Sequence, residues 1–596
     1  MRQFQQKLFC SVPEWVASGT RTLARIGNNQ LHYQVGKGRI APDRGSCRRW
    51  ILSVPSSPSS HHERDGIQCG SQVLRGPTLH DLAHFRSILS RPDRSIITTL
   101  TDEASQRQLS SDSRAEELVR YNQDWTGEYR GSSSLVLRPT NTSEVSSILR
   151  YCHENFIGVV PQGGNTGLCG GATPLHDEVI ISLEGMNTIY GIDGQSGILT
   201  CDAGAILENL HSFANERGYL FPLDIGAKGS CQIGGNVSTN AGGQYFFRFG
   251  GLHGTVMGLE VVLPDGRVMH LNMENVDDYG TIQQSKRIAS HRKDNTGYDL
   301  KHLFIGAEGT IGMITKVSIA CPALPTSKNV SLLVCDSYCN VLTVLKTAKE
   351  ELGEIMSAFE LMDYNTLSFV FAHGFGGNES GSRLLHDLLQ SESSIQEPER
   401  LRPLYLLVET QGSNSVDDAS KMDTFLTRLL DSETIINGFL AQDERQLKEM
   451  WTIRESCNPC VAQAGCVYKF DVSIPIEDYM EVAWEVKKEL SVSMKDVDLI
   501  ACVWGHVNDG NAHINIVTPG RFKKESAIDK NIEAAVFDSV LKRSGSISAE
   551  HGLGQKKNEA LGRIKGENVL DVMAQIKGLF DPHGIMNPGK YLPKKT

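Results

Sequence analysis

The sequence predicts an α+β protein of two or three domains. Three observations carry this: the length of the chain, helical and strand patterns that interleave, and two long glycine-rich loops set among them. At 596 residues the chain exceeds what one core can fill, because single cores stop growing at roughly 250 to 300 residues.

Asn141 stands three residues before Glu144, and Val145, Ile148, Leu149 and Cys152 follow at helical spacing, so a capped helix starts there. Short apolar runs at 158–161, 178–183 and 197–201, each ended by Gly, Asp or Pro, read as strands. Leu207, Leu210, Phe213 and Ala214 mark a further helix, and two strands at 257–263 and 268–271 flank the turn Pro264-Asp265-Gly266. A Gly/Ser/Glu-rich stretch at 372–400 interrupts a second α+β block that runs to about 540.

The charge balance narrows the function. A net charge of -11 with no dense Lys/Arg run leaves nucleic acid without an electrostatic footprint, so small-molecule ligands are expected. The 14 cysteines are scattered, which argues for a reducing compartment, and the C-x-x-C pair Cys457 and Cys460 lacks the second pair that a zinc ribbon needs. The first sixty residues carry Arg2, Lys7, Arg21, Arg25, Lys37, Arg39, Arg44, Arg48 and Arg49 against only Glu14 and Asp43, with many serines, a transit-peptide composition. Apolar runs of 18 residues occur nowhere, so no transmembrane segment is expected.

Chemistry concentrates in two places. The segments 161–171 and 226–243 are rich in glycine and small polar residues, and backbone without Cβ atoms can approach a pyrophosphate and aim N–H groups at it. No G-x-G-x-x-G follows a strand and opens a helix, so the Rossmann form of dinucleotide site is unsupported. The second place is His506-Val507-Asn508-Asp509-Gly510-Asn511-Ala512-His513. A two-residue Asp-Gly hairpin turn would pair His506 directly with His513 on one face, with Asn515 on that face too, close enough to ligate one divalent ion. Glu550-His551, between small residues, offers a further carboxylate and imidazole, though acidic residues beside glycine are also common in loops.

Four segments together resemble a known family: P-Q-G-G-N-T-G-L from 161, D-I-G-A-K-G-S-C-Q-I-G-G-N-V-S-T-N-A-G-G from 224, K-D-N-T-G-Y-D-L at 293–300 and G-A-E-G-T-I-G at 306–312. They look like the FAD-binding domain of vanillyl-alcohol-oxidase (PCMH-type) flavoproteins, and the likeness extends from about 121 to 593. It implies a PCMH-type FAD-binding domain at 133–324, preceded by a transit peptide and disordered segment (1–75) and a lead-in (76–132). An α+β substrate-binding cap would follow at 325–540, and a C-terminal helical segment (541–596) would return to the FAD domain.

The resemblance also implies site residues. FAD would be held by Pro161, Gln162, Gly163, Gly164, Asn165, Thr166 and Gly167, by Ser230, Gly234, Gly235, Asn236 and Asn240, and by Gly312, Ile314 and Asn587. Stretch 129–134 holds none of the histidines that attach flavin covalently in some relatives, so the FAD should be noncovalent. A metal would be ligated by His506, His513 and Glu550, with Zn²⁺ favoured and Mn²⁺ or Co²⁺ also suited to two nitrogens and one oxygen. His551 would be the general base. Arg454 and Lys469 would hold substrate with Asn515 and Asn458, the last standing where a threonine is common. Two cations beyond the metal imply a dicarboxylate, because a buried carboxylate without a partner is costly. The expected reaction is oxidation of D-2-hydroxyglutarate to 2-oxoglutarate with hydride passing to flavin N5, in the mitochondrial matrix, with electron-transferring flavoprotein as acceptor. The alternatives are D-lactate or another D-2-hydroxy acid, and, more remotely, a flavin-binding protein without turnover.

Overall fold

Helix and strand signals in the first half of the chain lead to two small sheets packed on one core. The computed structural model describes residues 68–69, 72–100, 111–273, 292–374, 384, 388–389 and 399–593. The expected transit peptide and the insert at 272–291 lie almost wholly outside these residues, as does most of the stretch 372–400. Helix α1 (Thr142–Glu154) begins where the Asn141 side chain accepts the Glu144 N–H at 2.8 Å. The Glu144 carboxylate turns instead to the N–H groups of Ser90 and Thr140, each at 2.7 Å, and so ties the preceding segment to the helix. Val145, Ile148, Leu149 and Cys152 are fully buried, the stripe expected from their spacing.

Helix α1 carries the chain between strands of a four-stranded mixed sheet. In it β1 (Ile96–Thr98) pairs antiparallel with β2 (Leu135–Leu137), β2 runs parallel to β4 (Val179–Ser182), and β4 runs parallel to β3 (Val159–Gln162). The lead-in therefore supplies an edge strand of this sheet. A second, antiparallel sheet has the order β8-β7-β9-β6-β5, built from β5 (Ile189–Ile192), β6 (Ile198–Asp202), β7 (Val256–Val262), β8 (Val268–Leu271) and β9 (Met313–Ala320). The β7–β8 connection closes at Gly266 with φ +83°, as the Pro-Asp-Gly signal requires. Between β6 and β7 the second glycine segment winds into the short helix α2 (Ile233–Ser238).

The remaining strands form one seven-stranded antiparallel sheet: β10 (Ser327–Cys335), β11 (Met356–Asp363), β12 (Leu404–Gly412), β13 (Asn437–Leu440), β14 (Gly465–Ser473), β15 (Ile500–His506) and β16 (Asn511–Pro519), in the order β13-β10-β12-β11-β15-β16-β14. Its two faces separate by alternation, interrupted in β11 by a bulge between Met356 and Ala358. One face carries Phe359, Leu361, Leu406, Val408, Phe470, Val503 and Ile514 under α3 (Tyr338–Glu351), α4 (Ser415–Asp431), α7 (Tyr479–Ser493) and α8 (Ser526–Lys542). The other carries Leu332, Met362, Leu407, Cys502 and Trp504 against α5 (Glu444–Glu455) and α6 (Cys457–Ala464). Beyond those two helices this second face changes from apolar to ionisable.

The C-terminal segment returns to the first sheet. The Val159 N–H donates to Ile585 O and the Asn587 N–H to Val159 O, both at 2.8 Å, and Ile585 and Met586 are fully buried in the first core.

Candidate active site

The ionisable face is laid out by strand register. Glu360 of β11 pairs with His506 of β15 and His506 with Asn511 of β16. The next row holds Trp504, His513 and Asp471, and the one after it Cys502, Asn515 and Lys469. These side chains share one face because they lie two apart along each strand.

The hairpin differs from the expected two-residue turn. Val507–Asp509 form a 3-10 turn that Gly510 closes with φ +79°, so four residues connect the strands and His506 lies opposite Asn511, with His513 opposite Trp504. Val507 is the reason: its side chain is fully buried in the core on the far face, which takes it and Asn508 out of the ladder. The histidines become diagonal neighbours, and long imidazoles still converge, with ring centroids 5.6 Å apart.

Glu550 completes a trio with His506 and His513 whose ligand atoms all lie within 4.8 Å of one another. Each histidine has a carboxylate at its outer nitrogen: Glu360 Oε1 is 2.5 Å from His506 Nδ1, and Asp471 Oδ1 is 3.3 Å from His513 Nδ1. That leaves both Nε2 atoms for an ion, the arrangement by which outer carboxylates orient metal-binding histidines. Asp471 falls in a second such trio with His513 and His551, but its oxygens are engaged already. Oδ1 accepts Asn511 Nδ2 at 2.7 Å, and Oδ2 accepts the N–H groups of Glu550 and His551 at 2.7 and 3.0 Å. The donor set of His506, His513 and Glu550 therefore fits a divalent metal, with Glu360 and Asp471 as supports.

The electrostatics follow from burial and pairing. Burial alone would lower the His506 imidazole, but the charge and hydrogen bond of Glu360 outweigh it and lift it to about 9. Glu360 is held near 2, against the upward push of burial, by His506 and Arg454. Burial keeps His551 below the ordinary imidazole value, so it is neutral and able to accept a proton at neutral pH.

Among the expected substrate groups, Arg454 is already engaged: its Nη2 and Nε lie 2.8 and 2.9 Å from Glu360 Oε2. Half-buried Lys469 has no acid within ion-pair distance among the described residues, and its ammonium lies 5.5 Å from the centre of the Trp125 ring. Burial pushes it below the usual lysine value. Asn515 is buried, with its Nδ2 on His513 O at 3.1 Å. Asn458 lies four residues beyond Arg454, in α6.

Behind His551 opens a cleft lined by Pro161, Gln162, Gly163, Gly164, Asn165, Thr166 and Gly167, by Gly234, Gly235 and Asn236, and by Gly312, Ile314 and Asn587. Ser230 and Asn240 stand outside the lining. Ser230 contributes backbone packed on Gly164, and Asn240 takes a left-handed φ of +50° in the loop behind. Cys169, Gln232 and Glu308, which lie in the glycine-rich segments, and Met313 also line the cleft.

Glu360, Asp471 and Glu308 are the functional acids that motif reading missed. Glu308 binds the Leu553 and Gly554 N–H groups at 2.7 and 2.8 Å and so positions the loop that bears His551. A signal existed for two of them: Glu360 is a lone acid in the apolar run Ala358-Phe359-Glu360-Leu361-Met362, and Asp471 shares its strand face with Lys469.

The FAD binding domain family matches residues 133–272, and the family described as FAD linked oxidases, C-terminal domain, matches 324–591. Bovine (Bos taurus) mitochondrial D-2-hydroxyglutarate dehydrogenase is 44% identical over 478 residues, 80% of this chain and 80% of its own length. The chain belongs to the D-2-hydroxyglutarate dehydrogenase family. Another relative, the D-2-hydroxyglutarate–pyruvate transhydrogenase of Saccharomyces cerevisiae, is 38% identical over 534 residues, 87% of this chain and 97% of the yeast protein. The solved structure of p-cresol methylhydroxylase superposes with a TM-score of 0.62 at 14% identity, covering 86% of this chain and 96% of that one, which establishes the PCMH-type α+β fold.

Membership of the D-2-hydroxyglutarate dehydrogenase family makes FAD the cofactor, and the cleft fits it. A Cβ at Gly167 or Gly235 would meet no protein atom within 4 Å, so these glycines leave open space rather than serve internal packing. The buried Gln232 Oε1 and Asn236 Oδ1 have no hydrogen-bond partner, and ribityl hydroxyls or a flavin N–H would satisfy them.

Proposed function

We propose that the chain oxidises D-2-hydroxyglutarate to 2-oxoglutarate with FAD and a divalent metal, Zn²⁺ being favoured, and passes the electrons to electron-transferring flavoprotein in the mitochondrial matrix. Family membership supports the dehydrogenase activity, and the names of the mitochondrial relatives support the compartment. The observation that carries the substrate is Lys469. Of the two expected substrate cations, Arg454 is paired with Glu360, which leaves Lys469 to meet a second carboxylate. It lies two residues along the strand from the Asp471–His513 row, about 7 Å, comparable to the span of a five-carbon diacid.

FAD supplies the two-electron acceptor, and the metal supplies positive charge that favours ionisation of a hydroxyl. His506, His513 and Glu550 would hold the metal, with residues 161–167 and 234–236 around the FAD. The chain's own groups do the rest. Lys469 and Asn515 orient the substrate. His551, which lines the cleft, takes the hydroxyl proton on its imidazole, a general-base contribution of roughly 10² to 10⁴ in rate. Asp471 fixes the His551 backbone, so the base is presented at one place.

Anaerobic mixing with candidate acids tests the proposal through bleaching of the oxidised flavin absorbance. D-2-hydroxyglutarate should bleach it fastest, and equal or faster bleaching by D-lactate overturns the substrate assignment. Reoxidation by electron-transferring flavoprotein or by pyruvate then decides the acceptor, since the yeast relative's name couples the acid to pyruvate.

A further inference from the structure

Trp125 stands between the two halves of the site. Its indole N–H donates to Thr166 O at 3.0 Å, in the first glycine loop, while its ring carries the Lys469 ammonium at 5.5 Å. The turn that bears it is rigidly built. Asp124 Oδ2 accepts the Thr126 N–H at 3.1 Å, Asp124 Oδ1 accepts the Tyr129 N–H at 2.8 Å, and Glu128 pairs with Lys524 from the loop after β16. Trp125 is nonetheless 56% exposed. A large aromatic held at the surface on a braced turn, with one edge on the cofactor loop and its face to an otherwise unpaired lysine, is placed to shape a binding site.

We infer that Trp125 is a specificity-determining residue, holding Lys469 in position for the distal carboxylate of the substrate. This rests on the dicarboxylate reading above. The ring attracts the ammonium through its negative face, which restrains a long flexible side chain and partly compensates the lysine before an anion arrives. A carboxylate repelled by that same face must approach Lys469 from the opposite side, so the indole also selects the direction from which the acid binds. A substrate with the same carbon chain and no distal carboxylate gains nothing from this arrangement.

The experiment measures kcat/KM of the FAD-loaded enzyme for D-2-hydroxyglutarate and for D-2-hydroxyvalerate, which replaces the distal carboxylate with a methyl group. In Trp125→Leu the ratio of the two should fall roughly five-fold, through KM for the diacid, the loss of one partly desolvated cation–π contact. Trp125→Phe keeps an aromatic face but loses the N–H donor to Thr166, and should stay within about two-fold of wild type. On a Lys469→Met background, Trp125→Leu should change the ratio no further, because the two residues act through one contact. An unchanged ratio in Trp125→Leu, an equal fall in Trp125→Phe, or additivity with Lys469→Met would each overturn the inference. If wild type handles both acids equally well, it is the dicarboxylate reading that fails.

Discussion

Replacing Glu360 by Gln removes one charge and almost no volume, yet it should disturb two functions at once. The Glu360 oxygens lie 2.5 Å from His506 Nδ1 and 2.8 Å from Arg454 Nη2, and Glu360 is 1% exposed. At an effective dielectric constant near 20 the Arg454 pair has a gross attraction of about 6 kcal/mol, and breaking one side of such a buried pair costs about 3 kcal/mol net. The second effect is on the metal: a histidine ligand that loses its outer carboxylate typically costs roughly 10- to 100-fold in affinity. Zn²⁺ competition against a chromophoric chelator reads the affinity, calorimetric melting reads the stability, and flavin absorbance verifies that FAD stays bound. The double variant Glu360→Gln/Arg454→Met separates the effects, because it removes the stranded cation and should recover stability while Zn²⁺ binding stays weak. Zn²⁺ affinity within two-fold of wild type in Glu360→Gln would refute the role given to this carboxylate.

Further outcomes follow from other parts of the site. His551→Ala should abolish turnover and keep its flavin; a nearly normal rate would remove His551 as the base. Exhaustive chelation should silence the enzyme and added Zn²⁺ restore it, and full activity of metal-free protein would contradict the metal assignment. In Gly164→Ala the new Cβ would fall 2.1 Å from Ser230 O, forcing the two glycine segments apart, so the purified protein should lose most of its flavin absorbance. Burial lowers Lys590 from 10.5 to about 7 in the folded chain. The folded state then binds fewer protons than the unfolded one between about pH 7 and 10, so this group makes stability rise with pH there, by up to about 1.4 kcal/mol per unit, with its full penalty below pH 7. The melting-temperature gap between Lys590→Met and wild type should therefore change steadily from pH 7 to pH 9, and a constant gap would refute it.

The parts of this fold that were legible in the sequence are those governed by local rules. Asn141 caps its helix and Gly266 closes its hairpin because capping and positive φ are properties of a few adjacent residues. The histidine pair was legible as a convergence, but its register was not. That register depends on Val507 reaching a core built from helices far along the chain. Arg454 read as a free cation because nothing nearby in sequence announces Glu360, 94 positions earlier, as its partner. Ser230 and Asn240 are expected at the cofactor from the family resemblance alone; they stand outside the cleft lining, in a glycine-rich run whose backbone serves neighbours as well as the cleft.

One of those neighbours is Glu550. Its Oε1 accepts the Gly243 N–H at 2.7 Å, and a Cβ at Gly242 would come within 2.3 Å of the same oxygen. The carboxylate is thus seated on the segment that follows α2, while its two histidine companions belong to the seven-stranded sheet. Glu550 is tethered to that sheet as well, its N–H on Asp471 Oδ2 at 2.7 Å, so an ion bound by all three would fix a carboxylate that touches both cores. Holding the ion would then stiffen that carboxylate's grip on the Gly243 N–H, and whatever free energy the ion contributes would add to the contact between the two cores.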